Sequence, residues 1–134
     1  MKVIDSETTV DTFLKHTRAI LTDDKFDINR NFYIIPVRHS SGDERNKTTM
    51  LDLNYTATDI VTEILSLTVE HYKETVIDNM PNKTNNFYCF VKYIIKNQVY
   101  IKFKISDVKD RQVFCVSFHY VDFPVAESEF PYKK

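Results

Sequence analysis

Apolar residues recur at helical spacing in two stretches of the chain and at strand spacing in three others. Between Thr8 and Leu21, the residues Val10, Phe13, Leu14, Thr17, Ile20 and Leu21 fall on one face of a 3.6-residue helix, and Ser6 or Thr8 stands where an N-cap oxygen is needed. From Thr56 to Thr68 a Thr-x-x-Asp start of capping-box form precedes Ile60, Val61, Ile64 and Leu65, which predicts a second helix. Downstream the period changes. FYCFVKYII, VYIKFKI and VFCVSFH have the length and the β-branched and aromatic content of strands, and VEHYKETVI precedes them across the polar turn DNMPNKTNN. NFYIIPVRH, Asn31 to His39, is also strand-like, but Pro36 would interrupt a central ladder, so the segment reads as an edge strand or an extended stretch. SSGDERNKT after it reads as a loop. Helices first and strands later predict an α+β domain over residues 1–134, its N-terminal helices packed on one face of a C-terminal antiparallel sheet.

Alternation then sorts the last two strands into faces. Val99, Ile101, Phe103 and Ile105 share one face of VYIKFKI, and Tyr100, Lys102 and Lys104 share the other. In VFCVSFH the expected apolar face is Phe114, Val116 and Phe118, with Cys115, Ser117 and His119 opposite. Pairing apolar face with apolar face and taking Ile105 against Phe114 places Lys104 opposite Cys115, Lys102 opposite Ser117 and Tyr100 opposite His119. One face of this hairpin therefore packs on the helices, while the other gathers a phenol, two ammonium groups, a hydroxyl and an imidazole.

Composition narrows what such a face can do. The single glycine, Gly42, rules out glycine-rich phosphate cradles of the P-loop and Rossmann kind. The four histidines are scattered without ligand spacing, so no metal or cofactor is expected. Cys89 and Cys115 stand alone and read as small core residues in a reducing compartment. No apolar run has the form of a signal peptide or reaches membrane-spanning length, which leads to the expectation of a cytoplasmic protein without membrane contact. Charge is divided: residues 1–82 hold nine Lys/Arg against fourteen Asp/Glu, and residues 83–134 hold nine against five. Between Lys83 and Lys104 there are five lysines and no acid. That basic half, interleaved with aromatic rings, suits a polyanion such as RNA, or is a solvated lysine-rich surface.

Cleavage of RNA without metal needs a base for the 2′-hydroxyl proton, an acid for the departing 5′-oxygen and cations for charge developing at phosphorus. The hairpin face holds candidates for each: His119 as general acid or base, Tyr100 to orient or share the proton, Lys102 and Lys104 for phosphate, with Ser117 among them.

QVYIKFKI followed by VFCVSFH resembles the C-terminal hairpin of the MqsR family of toxins, ribosome-independent mRNA interferases with a RelE-like fold. The similarity extends upstream through LDLNYTATDIVTEILSLTVEHYK and downstream through the tail SFHYVDFPVAESEFPYKK, covering roughly Met50 to Lys134, and is nearest to a branch whose second strand ends S-F-H. The resemblance implies that Lys73 in EHYK, Tyr100 in VYIK and His119 occupy functional positions. In that branch a W-x-F-G-K run corresponds to Tyr88-Cys89-Phe90-Val91-Lys92, so Lys92 is implied as a phosphate contact and Tyr88 as either a ring that stacks on a base or a core residue. The family's glutamine before the VYIK strand has no clear counterpart, since Asn86 or Phe87 falls there. The resemblance further implies a cytoplasmic endoribonuclease toxin acting on single-stranded mRNA by attack of the 2′-hydroxyl. A cognate antitoxin would neutralise it, and such antitoxins can carry a helix-turn-helix domain. The alternative is a non-catalytic RNA- or protein-binding module on the same scaffold.

Overall fold

A computed structural model describes residues 1–35, 44–108 and 111–134. In chain order its elements are β1 (Lys2–Val3), α1 (Glu7–Leu21), α2 (Ile28–Asn31), β2 (Phe32–Ile34), α3 (Arg45–Leu53), α4 (Ala57–Leu65), β3 (Tyr72–Val76), β4 (Phe87–Ile94), β5 (Asn97–Ile105) and β6 (Val113–Tyr120). The six strands form one sheet in the order β1-β3-β4-β5-β6-β2, antiparallel throughout except that β2 runs parallel to β6. The layout is α+β, as the patterning predicts. Among the described residues, no helix is long and apolar enough to cross a membrane.

The two expected helices are present. The N-cap of α1 is Ser6, whose hydroxyl accepts from the Thr9 N–H at 3.1 Å, and the helix buries Val10, Leu14, Thr17, Ile20 and Leu21. At the start of α4 the Asp59 carboxylate accepts from the Thr56 N–H at 2.8 Å, and Ile60, Val61 and Ile64 turn inward. These faces cover the inner side of the sheet, where Tyr72, Phe90, Val99, Ile101, Phe103, Ile105 and Phe118 are buried. Each large apolar side chain so placed contributes about 1.5–3 kcal/mol relative to exposure.

Three expectations need correction. The strand β1 is absent from the sequence reading because two residues carry no periodicity. The polar run SSGDERNKT is read as a loop, yet its second half opens α3; Ser40 to Asp43, and Pro36 to His39 of the preceding segment, lie outside the described residues. Positions 46, 49, 50 and 53 of α3 have helical spacing, but the buried pair among them is polar, Asn46 and Thr49. Both face the open edge of β6 beyond β2. The Asn46 amide donates to the carbonyls of Ile35 (2.8 Å) and Val116 (3.0 Å), its oxygen accepts from the Phe118 N–H (2.9 Å), and the Thr49 hydroxyl accepts from the Tyr120 N–H (3.2 Å). A helix thus stands in for a neighbouring strand and satisfies the ladder groups that β6 would leave unpaired.

The third correction concerns register. Tyr100↔His119, Ile101↔Phe118 and Lys102↔Ser117 pair as expected, but a bulge follows and the ladder continues Phe103↔Cys115, Lys104↔Phe114, Ile105↔Val113. The extra residue is Val116, whose carbonyl is the one Asn46 holds. Beyond it Val113 and Cys115 enter the core, while Phe114 goes to the outer face where Cys115 was expected.

β4 and β5 are joined by Ile95 and Lys96, with Ile94 paired to Asn97. Ile95 has φ 62° and an exposed side chain. A left-handed conformation costs a residue with a Cβ roughly 1–2 kcal/mol, and nothing packed against Ile95 offsets it. Ile95→Gly is expected to raise stability by about 1 kcal/mol, seen as a higher urea midpoint at unchanged slope. A lower midpoint would show that the isoleucine side chain holds the turn.

Candidate functional site

The outer side of the sheet carries the hairpin's polar face. Along successive register lines across β4, β5 and β6 lie Cys89, Lys102 and Ser117, then Val91, Tyr100 and His119. Glu74 of β3 extends the first of these lines, opposite Cys89. Adjacent lines are about 7 Å apart, two residues along a strand.

Tyr100 and His119 meet on this face with rings stacked at 5.6 Å between centroids and 24° between planes. The Nδ1 of His119 is 2.9 Å from the Tyr120 carbonyl oxygen. A carbonyl only accepts, so Nδ1 carries the hydrogen, and the neutral imidazole has its lone pair on Nε2. The Tyr100 hydroxyl donates to Cys89 Sγ at 3.1 Å. Burial, followed by the neighbouring Cys89, pushes the Tyr100 phenol well above its ordinary value, and burial pushes the Cys89 thiol up to about 11. The phenol keeps its proton and is held by a weak acceptor. His119 can therefore accept a proton at Nε2 while Tyr100 can only donate one, the separation of roles that acid–base chemistry needs.

Lys102 lies one line away, across from Ser117, its ammonium 5.7 Å from the centre of the Phe87 ring and, among the described residues, without a carboxylate in salt-bridge range. Beside His119, a pocket of about 330 Å³ opens between β6 and α3, lined by Glu44, Arg45, Thr48, Thr49, Tyr120, Val121 and Asp122. Arg45 spans it to Asp122 at 3.3 Å. Sequence reasoning misses Arg45 and Thr48 because it reads their segment as a loop; the helical spacing of positions 46, 49, 50 and 53 was the available signal.

Of the remaining expected site residues, Ser117 alone lies on the register lines of this group. Tyr88 faces the helices, stacked on Phe13 at 3.9 Å, which makes it a core ring and decides against the other of its two readings, the base platform. Lys92 also faces the helices, where it binds Glu63 of α4 at 2.7 Å and the Ser66 hydroxyl at 2.7 Å, so its charge is spent on the α4 interface. Lys104 is on the outer face but only 4% exposed, clamped by Asp78 (2.8 Å) and Asp107 (2.6 Å). Lys73 is the extra residue of a bulge in β3, two strands from Tyr100, bound to Glu74 (3.1 Å) and near Glu129 (3.8 Å). Burial alone would raise the Glu74 carboxyl, but Lys73 and Lys2 outweigh it and hold the group below its ordinary value. Ser117 is buried at the bulge, opposite Lys102.

Among the described residues, no group of three or more His, Cys, Asp or Glu is arranged to hold a metal ion. Comparison with protein family models, curated proteins and solved structures found no match, so the resemblance to MqsR toxins rests on the sequence motifs alone.

Proposed function

We propose that the protein is a metal-independent endoribonuclease that cleaves single-stranded RNA in the cytoplasm at the Tyr100–His119 face. The observation that carries the reading is the stacked pair itself: an imidazole with its lone pair on Nε2 beside a phenol that keeps its proton, with the Lys102 ammonium one register line away. In the reaction, His119 Nε2 removes the proton of a ribose 2′-hydroxyl, the 2′-oxygen bonds to the adjacent phosphorus, and the P–O5′ bond breaks. The departing 5′-oxygen takes the Tyr100 proton, and both residues recover their starting protonation from solvent. Charge on the equatorial oxygens is met by Lys102. The products are a 2′,3′-cyclic phosphate and a free 5′-hydroxyl. An unrestrained ribonuclease would degrade its host's messages, so the reading includes a protein inhibitor, the cognate antitoxin that the resemblance implies.

The test is incubation of the purified chain with an unstructured oligoribonucleotide in buffer containing a chelator. Fragments ending in a 2′,3′-cyclic phosphate are expected, and intact RNA at high enzyme concentration would overturn the reading. One observation favours the alternative, here a protein-binding module without catalysis: Lys73, Lys92 and Lys104 are all held in ion pairs and so are not available to phosphate. That module would leave RNA both unbound and intact.

A further inference from the structure

The bulge at Val116 does more than shift a register: it moves an aromatic ring from the expected core to the outer surface. Phe114, so displaced, lies beside Tyr33 of the edge strand β2, its register partner, with ring centroids 5.4 Å apart. Phe87 of β4 completes the group, its ring centroid 6.4 Å from that of Phe114 and under two ammonium groups, Lys104 at 4.9 Å and Lys102 at 5.7 Å. Tyr33 is 48% exposed, at the sheet's margin. The fold does not need these rings for its core, which lies on the other side of the sheet.

Their position relative to the Tyr100–His119 pair gives them a use. Lys104↔Phe114, Lys102↔Ser117 and Tyr100↔His119 are successive outer-face lines, so Lys102 stands between the rings and the pair, about 7 Å from each at two residues per step. Resting on the RNA reading above, we infer that Tyr33 and Phe114 form a stacking platform for a nucleobase of the bound strand, one or two nucleotides from the phosphate held at Lys102. The charge pattern selects this occupant. Lys102 faces the strand without a carboxylate partner among the described residues, and an anionic backbone with flat bases meets both a cation and rings, whereas an apolar peptide segment would leave that ammonium desolvated. Stacking on an aromatic ring is tolerant of base identity, so the platform adds affinity and sets the strand's path, not its sequence.

The experiment uses the full chain and a fluorescently labelled 2′-O-methyl oligonucleotide, which has no nucleophilic 2′-hydroxyl and stays intact whatever the protein's activity. Its control is an abasic oligonucleotide of equal length and charge. Tyr33→Ala is expected to weaken binding of the base-bearing strand about tenfold, while Tyr33→Phe stays within about twofold of wild type, as loss of one base–ring stack predicts. Binding of the abasic strand should not respond to either change. Equal affinity of wild type and Tyr33→Ala for the base-bearing strand would overturn the platform even if RNA is cleaved. Absence of any oligonucleotide binding by wild type would overturn it too and leave the face to a protein partner. The cleavage assay stands apart from both results.

Discussion

His119→Ala is expected to slow RNA cleavage by about 10²- to 10⁴-fold, the range spanned by positioned acid–base groups, while leaving the thermal midpoint within a degree or two of wild type. The ring is half-buried at the end of β6, on the side of the sheet away from the core, so its removal opens no core cavity. The comparison that assigns the role is Tyr100→Phe. It keeps the ring and its stack but deletes the hydroxyl that donates to Cys89, and as loss of one donor it should cost about 10²- to 10³-fold. If the two residues act as a unit, the double variant will be little slower than His119→Ala, because groups serving one step are not additive. Initial rates on a 5′-labelled oligoribonucleotide, with folding checked by circular dichroism, make the measurement. Wild-type rates from His119→Ala would remove the imidazole from the mechanism.

The facing of Tyr100 and His119 is readable from sequence because it depends only on parity. Val99, Ile101 and Phe118 must point inward, and their neighbours then point out together. Parity fails where an extra residue enters, and Val116 carries no sequence mark: its bulge is held by Asn46, seventy positions earlier, in a helix whose inward residues are polar because they serve a strand edge. Cys115 and Phe114 exchange faces for that reason. The inward facing of Tyr88 and Lys92 is hidden in the sequence for another reason. In FYCFVKYII both alternating sets contain rings and apolar residues, so alternation alone does not say which set meets the helices. Lys92 is tolerated on the inner side only because Glu63 of α4 receives it, a pairing between elements that no local pattern contains. Of the candidate site, then, the pair and Lys102 are legible and the other expected cations are not, because an ammonium is available to a ligand only if no carboxylate in the folded chain has reached it first.

Lys104 shows the energetic side of that rule. Its ammonium and the carboxylates of Asp78 and Asp107 have side chains only 5–10% exposed, and Asp107 also accepts from the Thr84 N–H and hydroxyl and from the Asn85 N–H, each at 2.8 Å. The cluster ties the segment between β3 and β4 to the end of β5. Lys104→Met leaves two buried carboxylates facing each other and is expected to cost about 3–5 kcal/mol, the range for breaking a buried ion pair from one side. Bonds from Lys104 are the largest influence on both acids and hold them below their ordinary values. Burial alone would lower the Lys104 value, but Asp107 and Asp78 outweigh it and raise it. The acids' contribution is therefore complete above the unfolded carboxylate pKa of about 3.9 and is lost as pH falls through their depressed folded values. The lysine's contribution is complete below about 10.4 and is lost as pH rises through its raised one. The stability difference between wild type and Lys104→Met should accordingly be largest across the neutral range and shrink as pH falls below about 4, through the unfolded carboxylate range and toward the depressed folded values. Adding Asp78→Asn and Asp107→Asn to Lys104→Met should recover part of the loss at pH 7, since neutral amides leave no uncompensated charge and position 107 keeps an acceptor for Thr84 and Asn85. Urea titrations of the three proteins at pH 3 and pH 7 make the comparison, and a pH-independent cost for Lys104→Met would show that its methylene packing, not its charge, holds the loop.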